Sequence, residues 1–246
     1  MPLVSAHSLI LQSFPYSETS KVLRLFTREM GLRSVIAKGA QRPKSRFGGI
    51  LEPFTGGIAF FYLREGRDLH TLSGFDLLRS RQGLGRDLTG FAGASLVAEL
   101  VLRYATEEPH EELFEALEES LDAILAAQGE GRERAAFLAA WRVVDLLGFA
   151  PRTDACVTCG RALDAEEPVR FDAAAGGAAC RDCRHSGRIL DPASRGELGS
   201  MLEGALPERP FADPSAQRAL LRTYLNAQLA QERPLRSLEL FLQQVG

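Results

Sequence analysis

Apolar and polar side chains alternate with period two through residues 1–81, the pattern of strands that turn one face to a core. Five segments carry it: Ser8–Gln12, Lys21–Thr27, Arg33–Lys38, Gly57–Leu63 and Leu69–Ser73. Turn formers separate them, at Phe14–Ser17, Gly31, Gly39, Gly48-Gly49 and Glu65–Asp68. Five short strands in so few residues predict a small closed barrel, because closure removes the exposed edges of an open sheet.

From about Arg86 the spacing of apolar residues becomes helical. Leu96, Leu100 and Tyr104 line one stripe, with Val97 and Val101 beside it. Pro109 is predicted in the first turn of a second helix, with stripe Leu113, Leu117, Leu121 and Ile124. The glutamates from Glu107 to Glu119 suit the positive end of that helix dipole and are expected on a solvated face. A third helix is predicted over Arg132–Leu147, with Phe137, Trp141, Val144 and Leu147 inward. Helical spacing returns over Ala193–Leu206 and Ser215–Ala230, and a short last segment, Leu235–Gln244, closes the chain. Residues 82–152 and 191–246 are expected to pack as one helical domain, with 153–190 inserted between them.

That insertion holds all four cysteines, as Cys156-Val-Thr-Cys159 and Cys180-Arg-Asp-Cys183. A two-residue gap turns both sulfurs of a knuckle toward one point, and two knuckles supply a tetrahedral site. Gly160 follows the second ligand, where a knuckle turn needs unusual backbone angles. Pro168–Phe171 and Gly176-Gly177 predict a hairpin between the knuckles, the usual filling of a zinc ribbon. The expected cofactor is one structural Zn²⁺ on Cys156, Cys159, Cys180 and Cys183. A redox C-x-x-C comes alone, beside a βαβ unit. Disulfides suit a secreted chain, whereas Met1–His7 shows no basic or apolar signal region. The expected compartment is therefore the cytoplasm, where thiols stay reduced. His185 is expected to be an exposed loop residue rather than a ligand.

Composition changes the picture through the distribution of charge. The chain of 246 residues carries a net charge of −3, but residues 1–81 hold 12 basic and 6 acidic side chains, a formal +6, and the remainder is −9. A basic third joined to an acidic remainder suits a polyanionic partner. The charge concentrates in Arg33, Lys38, Arg42, Lys44 and Arg46, with no acidic residue between Glu29 and Glu52. A basic loop at the end of a strand suits a phosphodiester backbone, and Lys21 and Arg24 on the preceding strand extend the patch. Phe47, Phe54, Phe60, Phe61 and Tyr62 are the aromatics at hand, most of them expected in the core. No apolar run is long enough to span a membrane.

Enzyme motifs fail. Gly39–Ser45 resembles a phosphate loop, but Pro43 stands at the second glycine and offers no N–H. Gly83-Leu-Gly85 lacks the third glycine of a dinucleotide fingerprint, and no G-x-S-x-G or H-E-x-x-H occurs. Two other classes stay open at this point: an RNA-binding or transcription-associated barrel and ribbon protein, and a zinc-dependent nucleic-acid enzyme.

Particular residues resemble the RecO family of bacterial recombination mediators. They are Tyr16–Ser20, Leu25–Thr27 with Met30-Gly31, Ala37–Ala40 with Lys44-Ser45, Leu51–Phe54, the four-cysteine insertion, and Leu235–Ser237. Leu238 departs from the basic residue expected next. The resemblance implies an α+β multidomain chain: an N-terminal five-stranded OB-fold barrel, then a C-terminal helical domain with an inserted four-cysteine zinc ribbon. It also implies a non-enzymatic role in RecFOR-type DNA repair. Such a protein binds single- and double-stranded DNA, anneals complementary strands, joins RecR, and engages single-strand binding protein so that RecA loads. It works in the cytoplasm, on the nucleoid during repair, and away from membranes.

Overall fold

The structure, a computed structural model, describes residues 1–245 except 65, 186, 208, 231 and 232. Glu65 of the predicted turn lies outside the described residues. Five strands close into a barrel in the order β1-β2-β3-β5-β4: β1 (Leu3–Pro15), β2 (Lys21–Thr27), β3 (Gly31–Ala37), β4 (Gly56–Tyr62) and β5 (Leu69–Arg79). The predicted segments fall on these strands, with Lys38 and Leu63 one residue past the ends of β3 and β4, and β1 and β5 run well beyond their predicted bounds. β1 is long because it serves two neighbours. Its first half, from Leu3 to Leu9, pairs with β4, and its second half, from Ser8 to Pro15, pairs with β2. A parallel pairing of Ser34–Ile36 with Leu69–Thr71 closes the ring.

β2 is apolar on both faces because it packs on both sides. Leu23 and Leu25 fill the barrel with Ile10, Val35, Phe61 and Leu72. Phe26, with Leu9, Leu11, Leu32 and Phe54, joins the core of the helical region instead. The Phe26 ring meets that of Phe114 at 6.1 Å. At the same seam the N–H of Leu32 donates to the carbonyl of Thr106 at 3.0 Å. Gly31 has φ 64, and a Cβ there would lie 2.3 Å from the carbonyl oxygen of Glu108. Glycine therefore meets two requirements at once, a left-handed backbone and a close approach.

Beyond a 3-10 turn at Gln82–Arg86 come α1 (Leu88–Tyr104), α2 (Glu111–Ala126), α3 (Glu130–Leu146), α4 (Pro192–Leu202), α5 (Pro214–Gln228) and α6 (Arg236–Gln244). Asp87, Asp191 and Asp213 cap α1, α4 and α5, each carboxylate accepting a backbone N–H three residues on. Pro109 does not sit in the first turn of α2. His110 is the cap, its Nδ1 accepting from the N–H of Leu113 at 3.1 Å, so Pro109 precedes the helix. α4 stops at Leu202, not Leu206, because Gly204 with φ 83 turns the chain back and Ala205 N–H bonds the Ser200 carbonyl.

The insertion forms a sheet ordered β7-β6-β8, from β6 (Val169–Asp172), β7 (Gly177–Ala179) and β8 (Ile189–Leu190). The hairpin β6-β7 is the predicted one; β8 adds a third strand. Phe171 of β6 reaches Tyr224 of α5 at 5.8 Å, and Tyr224 reaches Trp141 of α3 at 5.6 Å. The ribbon thus shares one apolar core with the helices and with the outer face of the barrel. Among the described residues no helix is long and apolar enough to cross a membrane.

Candidate nucleic-acid interface and metal centre

Most of the arginines on the barrel strands face acids. Arg28 of the β2–β3 turn bridges Glu111 and Glu115 of α2, each at 3.2 Å. Arg33 pairs with Glu107 at 3.2 Å, and Arg79 with Asp122 at 3.3 Å. Lys21 pairs with Glu52 at 2.8 Å. Several of the glutamates expected on a solvated face are therefore the counter-charges of the barrel. Opposite charges at these distances lower the field that each projects. Of the seven predicted contacts, Lys21 and Arg33 are compensated in this way.

The remaining positive charge lies in the segment joining β3 to β4. Lys38, Arg42, Lys44 and Arg46 are exposed there, and none pairs with a carboxylate among the described residues. The Arg46 guanidinium lies over the Phe47 ring at 5.0 Å. The segment is a run of successive turns, closed by bonds such as Arg42 N–H to the Gly39 carbonyl and Ser45 N–H to the Arg42 carbonyl. Buried Phe47, Leu51 and Phe54 anchor it. Gln41 fastens it to the β1–β2 turn, its Nε2 donating to the carbonyls of Ser17 at 2.8 Å and Ser20 at 2.9 Å. Arg24 stands apart from the loop. It faces a cleft between barrel and helices, with its Nε buried and unbonded among the described residues.

Of the aromatics at hand, Phe47, Phe54 and Phe61 are buried, Phe60 is half-buried and Tyr62 is exposed on β4. Two exposed aromatics that sequence patterning passed over lie at the β1–β2 turn, which the basic loop touches through Gln41. Tyr16, 62% exposed, begins the turn that Gln41 grips, and Phe14, 42% exposed, ends β1. The signal for both was the turn Phe14-Pro15-Tyr16-Ser17, in which no core face can take the rings.

In the ribbon the four cysteine sulfurs lie within 4.8 Å of one another, the only such group of potential metal ligands among the described residues. Cys156 and Cys180 are buried; Cys159 and Cys183 lie at the surface. The first knuckle is closed by Gly160 N–H on the Cys156 carbonyl at 2.9 Å, with Gly160 at φ 74. The second is closed by Cys183 and Arg184 N–H on the Cys180 carbonyl, both at 3.2 Å. The sulfurs of Cys159 and Cys180 are 3.9 Å apart. A tetrahedral site with metal–sulfur bonds of about 2.3 Å has edges of about 3.8 Å, so the spacing fits such an ion.

Burial opposes ionisation of Cys156, yet N–H donors from Cys159, Cys180 and Thr158 outweigh it and bring its thiol down to about 6. Cys180 is likewise lowered against its burial, by the Cys183 N–H. Hydrogen bonds with the Cys180 and Cys159 sulfurs push Cys183 up to about 12. Four sulfurs this close cannot all carry charge without a cation among them, and a divalent ion supplies that charge. His185 is exposed and outside the ligand group.

The models for Recombination protein O N terminal and Recombination protein O C terminal match residues 1–81 and 85–239. The chain belongs to the RecO family. The DNA repair protein RecO of Anaeromyxobacter sp. strain K is 35% identical over 261 residues, covering 100% of this chain and 98% of its own. RecO of Rubrobacter xylanophilus is 34% identical over 239 residues, with 95% and 94% covered. RecO of Anaeromyxobacter sp. strain Fw109-5 is 42% identical over 178 residues, with 71% and 68% covered. The closed barrel is thus the OB-fold of a RecO N-terminal domain. A role in DNA repair follows from membership of RecO, and the four clustered cysteines are compatible with a metal site in it.

Proposed function

We propose that this chain is a non-enzymatic recombination mediator of the RecFOR type. It binds single- and double-stranded DNA through the barrel, anneals complementary strands, and with RecR loads RecA on DNA coated by single-strand binding protein. The observation that carries this reading is the contrast between compensated and free cations. Arg28, Arg33, Arg79 and Lys21 face carboxylates, whereas Lys38, Arg42, Lys44 and Arg46 face solvent on one anchored loop. Cations so placed neutralise phosphates on two strands and lower the repulsion between them, so that bases pair. No covalent step is required.

Four such contacts give a slope of about −3 for log K against log salt on single strands. Tyr16, on the adjoining turn, offers a face for stacking. Cys156, Cys159, Cys180 and Cys183 would hold one Zn²⁺, which supplies a structural clamp between the knuckles. The chain divides accordingly into a barrel (1–81), two helical parts (82–152 and 191–246) and a ribbon (153–190), and acts in the cytoplasm at the nucleoid.

The test is annealing of complementary strands coated with single-strand binding protein, by wild type and by a Lys38/Arg42/Lys44/Arg46→Ala variant of native fold. Acceleration by wild type, lost in the variant, supports the proposal. No acceleration by wild type overturns it.

A further inference from the structure

We infer that the cleft between the barrel and the helical region is a second seat for a single DNA strand, an extension that rests on the DNA binding proposed above. The cleft encloses about 740 Å³. Its walls come from distant parts of the chain: β1 and β2 of the barrel, the end of the β3–β4 segment, α1, and the approach to α6. Four arginines line it, Arg24, Arg103, Arg233 and Arg236, against the single carboxylate of Glu99 among the described residues.

That carboxylate already has its partners. Glu99 pairs with Arg103 at 2.6 Å and accepts the N–H groups of Arg236 at 3.3 Å and Ser237 at 2.8 Å. Arg103 in turn donates to the carbonyls of Arg233 at 2.7 Å and Pro234 at 2.6 Å. Glu99 and Arg103 therefore position the segment before α6 rather than meet a ligand. Arg24, Arg233 and Arg236 are left without a carboxylate among the described residues. The Nε of Arg24 is buried there without an acceptor among the described residues.

Three uncompensated guanidiniums call for a polyanion, and aromatic rings at the same cleft narrow the class. Phe14 and Phe91 line it and are 42% and 37% exposed. Phe91 is held edge-on by Phe54 at 6.0 Å. Phe54 itself adopts φ 67, the one non-glycine positive φ among the described residues, a costly backbone for a bulky side chain. Cations beside exposed ring faces suit the phosphates and bases of a single strand. The cleft also continues the basic loop. Pro53 and Phe54, which end that segment, form part of its wall, and Ser13 Oγ beside it donates to the Leu51 carbonyl at 2.8 Å. A strand leaving Lys44 and Arg46 would enter the cleft past Phe14. An acidic peptide would also satisfy the arginines; the continuity of the cleft with the basic loop favours a strand.

The experiment measures anisotropy of a fluorescein-labelled oligothymidine over a salt series. The proteins are wild type, the loop variant above, R233E/R236E, and Phe91→Ala, each checked for a native melting profile. The expected result is that R233E/R236E binds at least about tenfold more weakly, with a salt slope shallower by more than about one. F91A is expected to bind about tenfold more weakly at unchanged slope, and to match wild type on an abasic oligonucleotide, where stacking is absent. If the loop variant weakens binding while R233E/R236E and F91A equal wild type, the cleft is not a DNA seat and the proposed function stands. Failure of wild type to bind at all overturns both. Loss by R233E/R236E of an acidic peptide, with oligothymidine affinity intact, assigns the cleft to a protein partner and overturns the inference.

Discussion

Arg81 Nε donates to Asp122 Oδ1 at 2.6 Å, tying the end of the barrel to the middle of α2. The Arg81 side chain is fully buried, and its other nitrogens donate to the carbonyl of Phe54 at 3.2 Å and that of Glu118 at 3.3 Å. One planar fork thereby holds three elements in register. Removing it strands the Phe54 and Glu118 carbonyls and the carboxylates of Asp122 and Glu118, the latter 3.5 Å from the fork, whose partial exposure softens the loss. Breaking a buried pair costs about 3–5 kcal/mol, so Arg81→Ala should cost about 3 kcal/mol in urea unfolding. Arg81→Lys should recover only part, since one ammonium cannot reach all of these acceptors. Arg81→Ala and Asp122→Ala should be non-additive by more than about 1 kcal/mol. Additive losses would mean that the two residues act separately.

Gly31 makes the second prediction. Alanine there would hold a left-handed backbone and press its Cβ on the carbonyl of Glu108. Gly31→Ala should cost about 3 kcal/mol or more in thermal unfolding. Gly48→Ala is the control. Its φ of 51 is also positive but open space surrounds it, so the cost should stay near about 1 kcal/mol. Equal losses would show that the β2–β3 turn and the α1–α2 connection do not meet so closely.

The ribbon reports on itself through the one tryptophan of the chain. Trp141 touches Tyr224, which touches Phe171 of β6. Chelation should release one equivalent of metal and shift Trp141 emission to the red, because the knuckles no longer hold β6 against α5. Stability should fall, while DNA affinity per folded molecule should stay within about twofold, since the loop cations lie on a separate element. A twofold limit exceeded at unchanged emission would place the ribbon in direct contact with DNA.

Local pattern carried much of this molecule. β2 has the bounds predicted for it, Lys21–Thr27. The metal group was legible because a C-x-x-C pair dictates its own geometry. What joins distant segments was not legible. Arg33 and Glu107 are 74 residues apart and Arg28 and Glu111 are 83 apart. Each looks like an ordinary exposed charge in its own window, so neutralisation of the barrel by α2 and the connection before it left no local trace. Strand β8 has only two residues, defined by the pairing of Leu190 with Val169. The setting of Arg24 was hidden for the same reason, since part of its surroundings arrives with Arg233 and Arg236, some two hundred positions later.

Tyr224 supplies the last prediction, at alkaline pH. Its ring is buried between Trp141 and Phe171, and its hydroxyl donates to the carbonyl of Phe149 at 2.8 Å. Burial pushes the phenol from its ordinary 10 up to about 12. The unfolded chain therefore loses this proton first as pH rises. Between pH 10 and about 12 the unfolded state binds fewer protons than the native state, so the free energy of unfolding falls across that window. Below pH 10 both states are protonated and Tyr224 contributes no slope. Tyr224→Phe removes the titrating group. It should lose about 1 kcal/mol at neutral pH through the missing hydrogen bond, yet show a flatter decline above pH 10. Urea unfolding at a series of pH values measures both. Parallel curves for the two proteins would show that the phenol titrates alike in the folded and unfolded chain, and that the aromatic contact between ribbon and α3 is looser than its distances indicate.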